Sequence, residues 1–261
     1  MTTKIARIAL IIFAVGLVAS AAYTGENADK AAESVRDDAI SKLVAWRTKS
    51  ADSLLKKKAT YETSQPYLTA EALLMATYSL NRDAETVTRA LKILKKQSEK
   101  DAVDPVAEFY RGKVLSWLGQ KDEAKVAWRN AKDRAAAAVK ADSKNATARF
   151  YLGASLVRLK NPADARKALK KAARIGFYKP MVDFQIGLSY LLDENWKAAK
   201  NSFDDVHELD PRYAHLYFYR GLASDKLGRK DLLLDDLDQF VKLAPNSPEA
   251  DTARTILEAM Q

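Results

Sequence analysis

The feature that most constrains this chain is a spacing. Four segments align as Phe109-Tyr110-Arg111-Gly112, Phe150-Tyr151-Leu152-Gly153, Phe184-Gln185-Ile186-Gly187 and Phe218-Tyr219-Arg220-Gly221. Gly153, Gly187 and Gly221 follow one another at steps of 34 residues, and Gly112 precedes Gly153 by 41. The longer step adds about two helical turns, which extends a helix by about 10 Å without rotating its buried stripe. The extra residues fall in the alanine-rich run from Arg134 to Ala141. A period of this size means a stack of equivalent supersecondary units, each burying its apolar side against the next.

Within each unit the pattern is helix–turn–helix. First helices are predicted over residues 105–118, 146–159, 180–192 and 214–227. The second helices carry apolar residues at spacings of three and four: Ala124, Ala127, Trp128 and Ala131, then Ala165, Leu169 and Ala172. Ala199, Phe203 and Val206 continue the stripe, as do Leu233, Leu237 and Phe240. Pro211 and Pro245 each follow a helix end and stop it.

Over residues 105–246 the chain resembles the tetratricopeptide repeat family in its period, the small residue inside each first helix, the alanine inside the second and the terminal proline. The resemblance implies an all-α, right-handed superhelical solenoid with a concave face lined by first helices. Gly112, Gly153, Gly187 and Gly221 then read as packing residues, placed where close helix approach is worth the roughly 1 kcal/mol that glycine costs in a helix. Some positions depart from the family. Arg111 and Arg220 stand where leucine is preferred, and Leu233 replaces an alanine. Glu108, Arg149 and Asp183 stand where an aromatic is usual, with only Tyr217 close to the pattern.

The flanks are assigned by the same reasoning. Residues 66–104 form a degenerate hairpin in which Leu74 takes the glycine position, and residues 22–65 a mainly helical region, long and apolar over 28–61. Residues 247–261 read as a capping helix, with Ser247 as its cap, Pro248 in its first turn and Glu249 at the positive end of its dipole. At the other end, Lys4 and Arg7 precede an uncharged run from Ile8 to Val18, then Ala19-Ser20-Ala21. That is the three-part pattern of a signal peptide over residues 1–21. An uncleaved anchor is the competing reading, although the stretch is shorter than the roughly 20 residues a spanning helix needs. Either one places the rest of the chain outside a bacterial inner membrane, in the periplasm or on its periplasmic face.

Composition removes several function classes. With no Cys there is no thiolate zinc site, iron–sulfur cluster or cysteine nucleophile. His207 and His215 are the only imidazoles and flank a helix break, a poor start for a metal site. Nine glycines, mostly absorbed by the repeat, leave no phosphate loop. No catalytic residue, cofactor or metal is therefore expected. The net charge of +9 is uneven: residues 146–200 carry +7 and residues 201–261 carry −5. Lys167, Lys170, Lys171 and Arg174 share one helix face. The basic stripe lacks interleaved aromatics, so nucleic acid is not an expected partner.

The expected working surface is the concave groove. Phe109, Phe150, Phe184 and Phe218 occupy equivalent places in it. One and nearly two turns further on come Lys113 and Ser116, Ala154 and Val157, Leu188 and Leu191, and Leu222 and Asp225. An apolar centre between polar ends suits an amphipathic helix or an extended apolar segment. The occupant is either a partner protein or peptide or the chain's own helix over residues 28–61 folded back. Some relatives in the family grip a peptide carboxylate with Lys, Asn and Arg, a set this groove lacks. The expectation is a non-catalytic protein- or peptide-binding scaffold of the cell envelope, with self-association left open. The alternative is an envelope-assembly accessory factor that binds an anionic polymer, a lipid surface or an enzyme through its charged outer faces.

Overall fold

The structure, a computed structural model, describes residues 26–79 and 83–260. The export segment expected over residues 1–21 lies outside these. Among the described residues all regular structure is helical. The chain opens with α1 (Glu26–Val44), α2 (Thr48–Lys57) and a 3-10 turn (Ala59–Tyr61). Next come the hairpin of α3 (Gln65–Ser79) and α4 (Ala84–Lys100) and the pair α5 (Pro105–Trp117) and α6 (Lys121–Ala141). Three further pairs are α7 (Ala146–Arg158) with α8 (Pro162–Ile175), α9 (Lys179–Leu192) with α10 (Trp196–Leu209), and α11 (Ala214–Lys226) with α12 (Lys230–Leu243). The last helix is α13 (Ala250–Ala259). Each helix of a pair packs on its mate, and each second helix packs on the next first helix, so the hairpins form one continuous stack. No described helix is long and apolar enough to cross a membrane.

Local chemistry explains where the helices begin and turn. Asp83, Asp104, Asn145, Asn161 and Asn195 each cap the helix that follows, their side-chain oxygens accepting backbone N–H groups of the first turn. α6 has 21 residues against 14 in α8, α10 and α12, so the insertion lies where the spacing put it. The turn inside each repeat needs one left-handed residue: Gly119 (φ 75°), Lys160 (φ 59°), Glu194 (φ 56°) and Gly228 (φ 79°). Glycine adopts this geometry freely, while Lys160 and Glu194 hold it at a cost.

The four helical glycines face a large side chain from the second helix of their own pair. A β-carbon added at Gly112 would stand 2.6 Å from the Trp128 indole, one at Gly153 2.6 Å from Leu169, and one at Gly187 2.5 Å from the Phe203 ring. At Gly221 the nearest atom is Asp236 Cβ at 3.2 Å. The first three partners lie sixteen residues after their glycine. In the degenerate hairpin Leu74 holds the glycine position, and sixteen residues on stands the fully buried Ala90. Large and small partners have exchanged places there, which preserves the fill.

The departures from the family pattern are matched by polar partners. Glu108 is buried and accepts from Arg111 at 2.5 Å, Ser98 at 2.5 Å and Asn130 at 3.1 Å. Arg220 donates to both oxygens of Asp236 at 2.7 and 3.0 Å and to Asp204 at 3.1 Å, tying α11 to α12 and α10. Asp183 receives Lys179. Burial pushes the Asp183 and Asp236 carboxyls upward, and the paired cations oppose it.

Two expectations at the ends are corrected. Residues 28–61 do not form one long helix: the chain breaks at Ala45–Arg47, where Trp46 adopts a left-handed backbone (φ 62°). Ser247 does not cap the final helix, which begins at Ala250; Ser247 is buried and its hydroxyl has no partner. Glu249 reaches instead to His215, at 3.3 Å.

Candidate functional site

The concave face is occupied by the chain's own N-terminus. α1 buries Val35, Ala39, Ile40 and Leu43 along one side and packs on α3. Arg36 is buried and pairs with Asp104 at 2.6 Å, at the start of α5, and with Asp37 at 2.9 Å. The turn after α1 then reaches the start of α11. There Arg47 pairs with Asp210 at 3.0 Å and the Ala45 carbonyl accepts from the Ala214 N–H at 3.5 Å. The Trp46 ring lies edge-on between Trp117 (6.4 Å) and His215 (5.2 Å), joining the ends of α5 and α11. Of the two occupants left open by the sequence, the internal one reaches the repeats through Arg36 and residues 45–47.

The groove residues are consequently not an open ladder. Phe109, Phe150, Phe184 and Phe218 are all at least 94% buried, and Ala154, Val157 and Leu188 are buried with them. Leu191 and Leu222 are half-buried at the edge of the same core. The rings pack between repeats: Phe150 stacks on Phe177 at 4.2 Å, and Phe184 lies against Tyr213 at 4.8 Å. The ladder positions are filled because the superhelix closes tightly and its first helices meet one another as well as their partners.

Inside this closure a cavity of about 240 Å³ remains. Phe109, Lys113, Ser116, Phe150 and Phe184 line it, so five of the groove residues read from the sequence come together there. Ala154, Val157, Leu188, Leu191, Phe218, Leu222 and Asp225 do not line it. The structure adds side chains that the repeat alignment passed over: Trp117, Trp128, Arg158, Gln185, His215 and Glu249. They come from five helices and from the turn before α13. One of them had a legible signal. Ala154 is the counterpart of Lys113, and Arg158 lies one turn beyond it on the same stripe.

The cavity is aromatic in its walls and cationic in its polar groups. Lys113 sits over the Trp117 ring at 5.1 Å and Arg158 over the Trp128 ring at 5.8 Å. Neither has an ion-pair partner among the described residues. Burial, reinforced by Arg158 and opposed by Glu249, pulls the Lys113 amine down to about 8. Burial pushes Glu249 upward, but His215, a backbone N–H and Lys113 together bring the carboxyl down to about 2. Four lining residues each also carry a fully buried side-chain atom without a hydrogen-bond partner: Trp128 Nε1, Arg158 Nε, Gln185 Oε1 and His215 Nδ1.

The outer surface is different in kind. Lys167, Lys170, Lys171 and Arg174 are exposed on α8. Lys167 pairs with Asp164 at 3.0 Å, while the other three have no ion-pair partner among the described residues. No cluster of metal-ligating side chains occurs among the described residues, and His207 sits edge-on to Tyr217 at 5.7 Å, away from His215.

No family model matches the sequence. Solved structures do. A thermophilic TPR protein of Thermus thermophilus is 17% identical, with a TM-score of 0.56 over 75% of this chain and 98% of that one. In the APC/C hetero-tetramer Cut9–Hcn1 the match is 16% identical, with a TM-score of 0.55 over 97% of this chain and 46% of the other. YrrB, a TPR protein with an unusual peptide-binding site, is 24% identical at a TM-score of 0.40, over 76% and 97% of the two chains. The first two establish the fold as that of a tetratricopeptide repeat solenoid.

Proposed function

We propose that this tetratricopeptide repeat solenoid is a non-catalytic scaffold of the bacterial cell envelope, exported by its N-terminal segment, that binds an amphipathic helix of a partner protein on its concave face. The observation that carries the reading is α1. Its C-terminal half buries Ile40 and Leu43 in the same core as the groove aromatics, and two arginines tie it down, Arg36 at mid-helix to Asp104 and Arg47 in the turn beyond it to Asp210. The face is thus complementary to a helix of that chemistry, which is one of the recurrent ways a groove recognises a protein. α1 is an internal stand-in that a partner helix replaces. Any partner must exceed it in affinity, because a groove occupied in the resting state reduces apparent binding by the fraction that is open.

The chain has no Cys, which permits a clean test. Ala45→Cys with Ala214→Cys places two thiols where the backbones already touch. Capture of envelope proteins by the oxidised, locked form is expected to fall at least tenfold, and reduction should restore it. Equal capture by both forms removes the groove as the binding surface. A second reading, contact through outer faces with an anionic polymer, a lipid surface or an enzyme, is favoured by the unpaired Lys170, Lys171 and Arg174. Salt separates the two. At 0.5 M the Debye length is about 4 Å, so contact through an exposed charge row is lost while an apolar groove keeps its partner.

A further inference from the structure

The central cavity calls for an explanation that neither helix packing nor a protein partner supplies. A cavity of about 240 Å³ is larger than the roughly 150 Å³ that holds a benzene ring, and smaller than most sites for drug-sized ligands. Its walls present Phe109, Phe150 and Phe184. Lys113 and Arg158 bring two cations to the same space, and neither has an ion-pair partner among the described residues. The single carboxylate on the lining, Glu249, is engaged by His215. An unneutralised cation in an apolar enclosure is costly, and Lys113 and Arg158 leave this one with a net positive charge.

We propose that this cavity is a binding site for a small organic monoanion, an aromatic ring bearing one carboxylate, with the ring seated among Phe109, Phe150 and Phe184 and the carboxylate held by Lys113 and Arg158. The site forms with α1 in place, since Val44 is part of its wall. It therefore does not depend on a partner displacing that helix. Exposed Ser116 marks its mouth. A free aromatic acid and the terminal phenylalanine of a peptide offer the same chemistry from two sources.

The test uses the full chain, refolded from denaturant to strip any carried ligand, and titrated with phenylacetate by calorimetry and by the emission of Trp117 and Trp128. One-to-one saturable binding is expected, with toluene and acetate each at least tenfold weaker. Lys113→Met and Arg158→Met should each weaken it at least tenfold. A wild-type pH profile gives a measurement that no variant's folding can obscure. The ligand-free Lys113 titrates near 8, so affinity should fall about tenfold per pH unit above that value. Of the other groups facing the space, Arg158 stays charged and burial pushes the Tyr219 hydroxyl up to about 12, out of the range. Loss of that slope in Lys113→Met assigns it. A peptide ending in phenylalanine, as free acid and as amide, identifies the source. If the free-acid peptide alone binds, the ring-plus-carboxylate chemistry holds and its donor is a chain end. Absence of saturable binding by both phenylacetate and that peptide, or phenylacetate binding unchanged in a folded Lys113→Met/Arg158→Met double variant, overturns the proposal.

Discussion

Between the helices of one hairpin, Gly187 admits the Phe203 ring so closely that an added methyl would stand 2.5 Å from it. On the inner side of the same stack, Lys113, Arg158, Gln185 and His215 line open space. The two regions share helices yet differ in how they were made. A hairpin wall is filled by residues of one repeat, at a separation the period sets. The interior is enclosed by residues from many repeats and by two segments outside the repeat, Val44 before it and Glu249 after it. Dense walls hold the first helices apart at a fixed spacing, and the space they cannot fill collects groups that packing alone would exclude.

The comparison breaks most readily at Trp46. Trp46→Ala removes the ring between Trp117 and His215 while keeping the left-handed backbone, and should destabilise by about 4 kcal/mol in guanidinium denaturation. It should also expose α1 to protease before the repeats open. A loss below about 1 kcal/mol would mean that the repeats close the interior without this plug. Within the walls, Gly187→Val should cost about 3 kcal/mol through overpacking, whereas Gly221→Ala, with 3.2 Å available beside Asp236 Cβ, should stay within about 1 kcal/mol. Thermal melts that show equal losses would refute the size matching.

The interior predicts a change of opposite sign. Lys113 carries a folded-state value depressed to about 8 from 10.5, so its charge opposes folding at neutral pH. Lys113→Met should therefore stabilise by about 2 kcal/mol at pH 7. The advantage should shrink as pH rises from about 8 to 10.5, because the wild-type amine then loses its proton in both states. Destabilisation at pH 7 would place Lys113 among the structural side chains. The smallest effect is at the other end of the enclosure. Glu249 is depressed from 4.5 to about 2, so its stabilisation is complete above 4.5 and is lost as pH falls toward 2. Its side chain remains 25% exposed, and about 1 kcal/mol is expected. Glu249→Gln should flatten that part of the pH–stability curve.

The stack and its glycines were legible because they are set by short-range periodicity. Gly112, Gly153 and Gly187 each meet the residue sixteen places on across a hairpin, whatever the rest of the chain does. The departures at Glu108, Arg111 and Arg220 were visible as exceptions, but their partners Ser98, Asn130, Asp204 and Asp236 were not, since they lie on neighbouring helices. The aromatic positions were found correctly and their surroundings were not. Phe109, Phe150, Phe184 and Phe218 look the same in sequence whether a groove is open or closed.

The amino-acid sequence alone determined that this chain is a stack of helical hairpins, where each hairpin turns, and which small residues let its helices approach. These follow from propensity, capping and a repeat, all local in the chain. Tertiary structure alone decided that the concave face is occupied, that Val44 and Glu249 close it, and that Lys113 and Arg158 are left facing one cavity. Those facts depend on how far the superhelix curves and where its ends come to rest, and curvature is the sum of small rotations between hairpins that no single segment specifies.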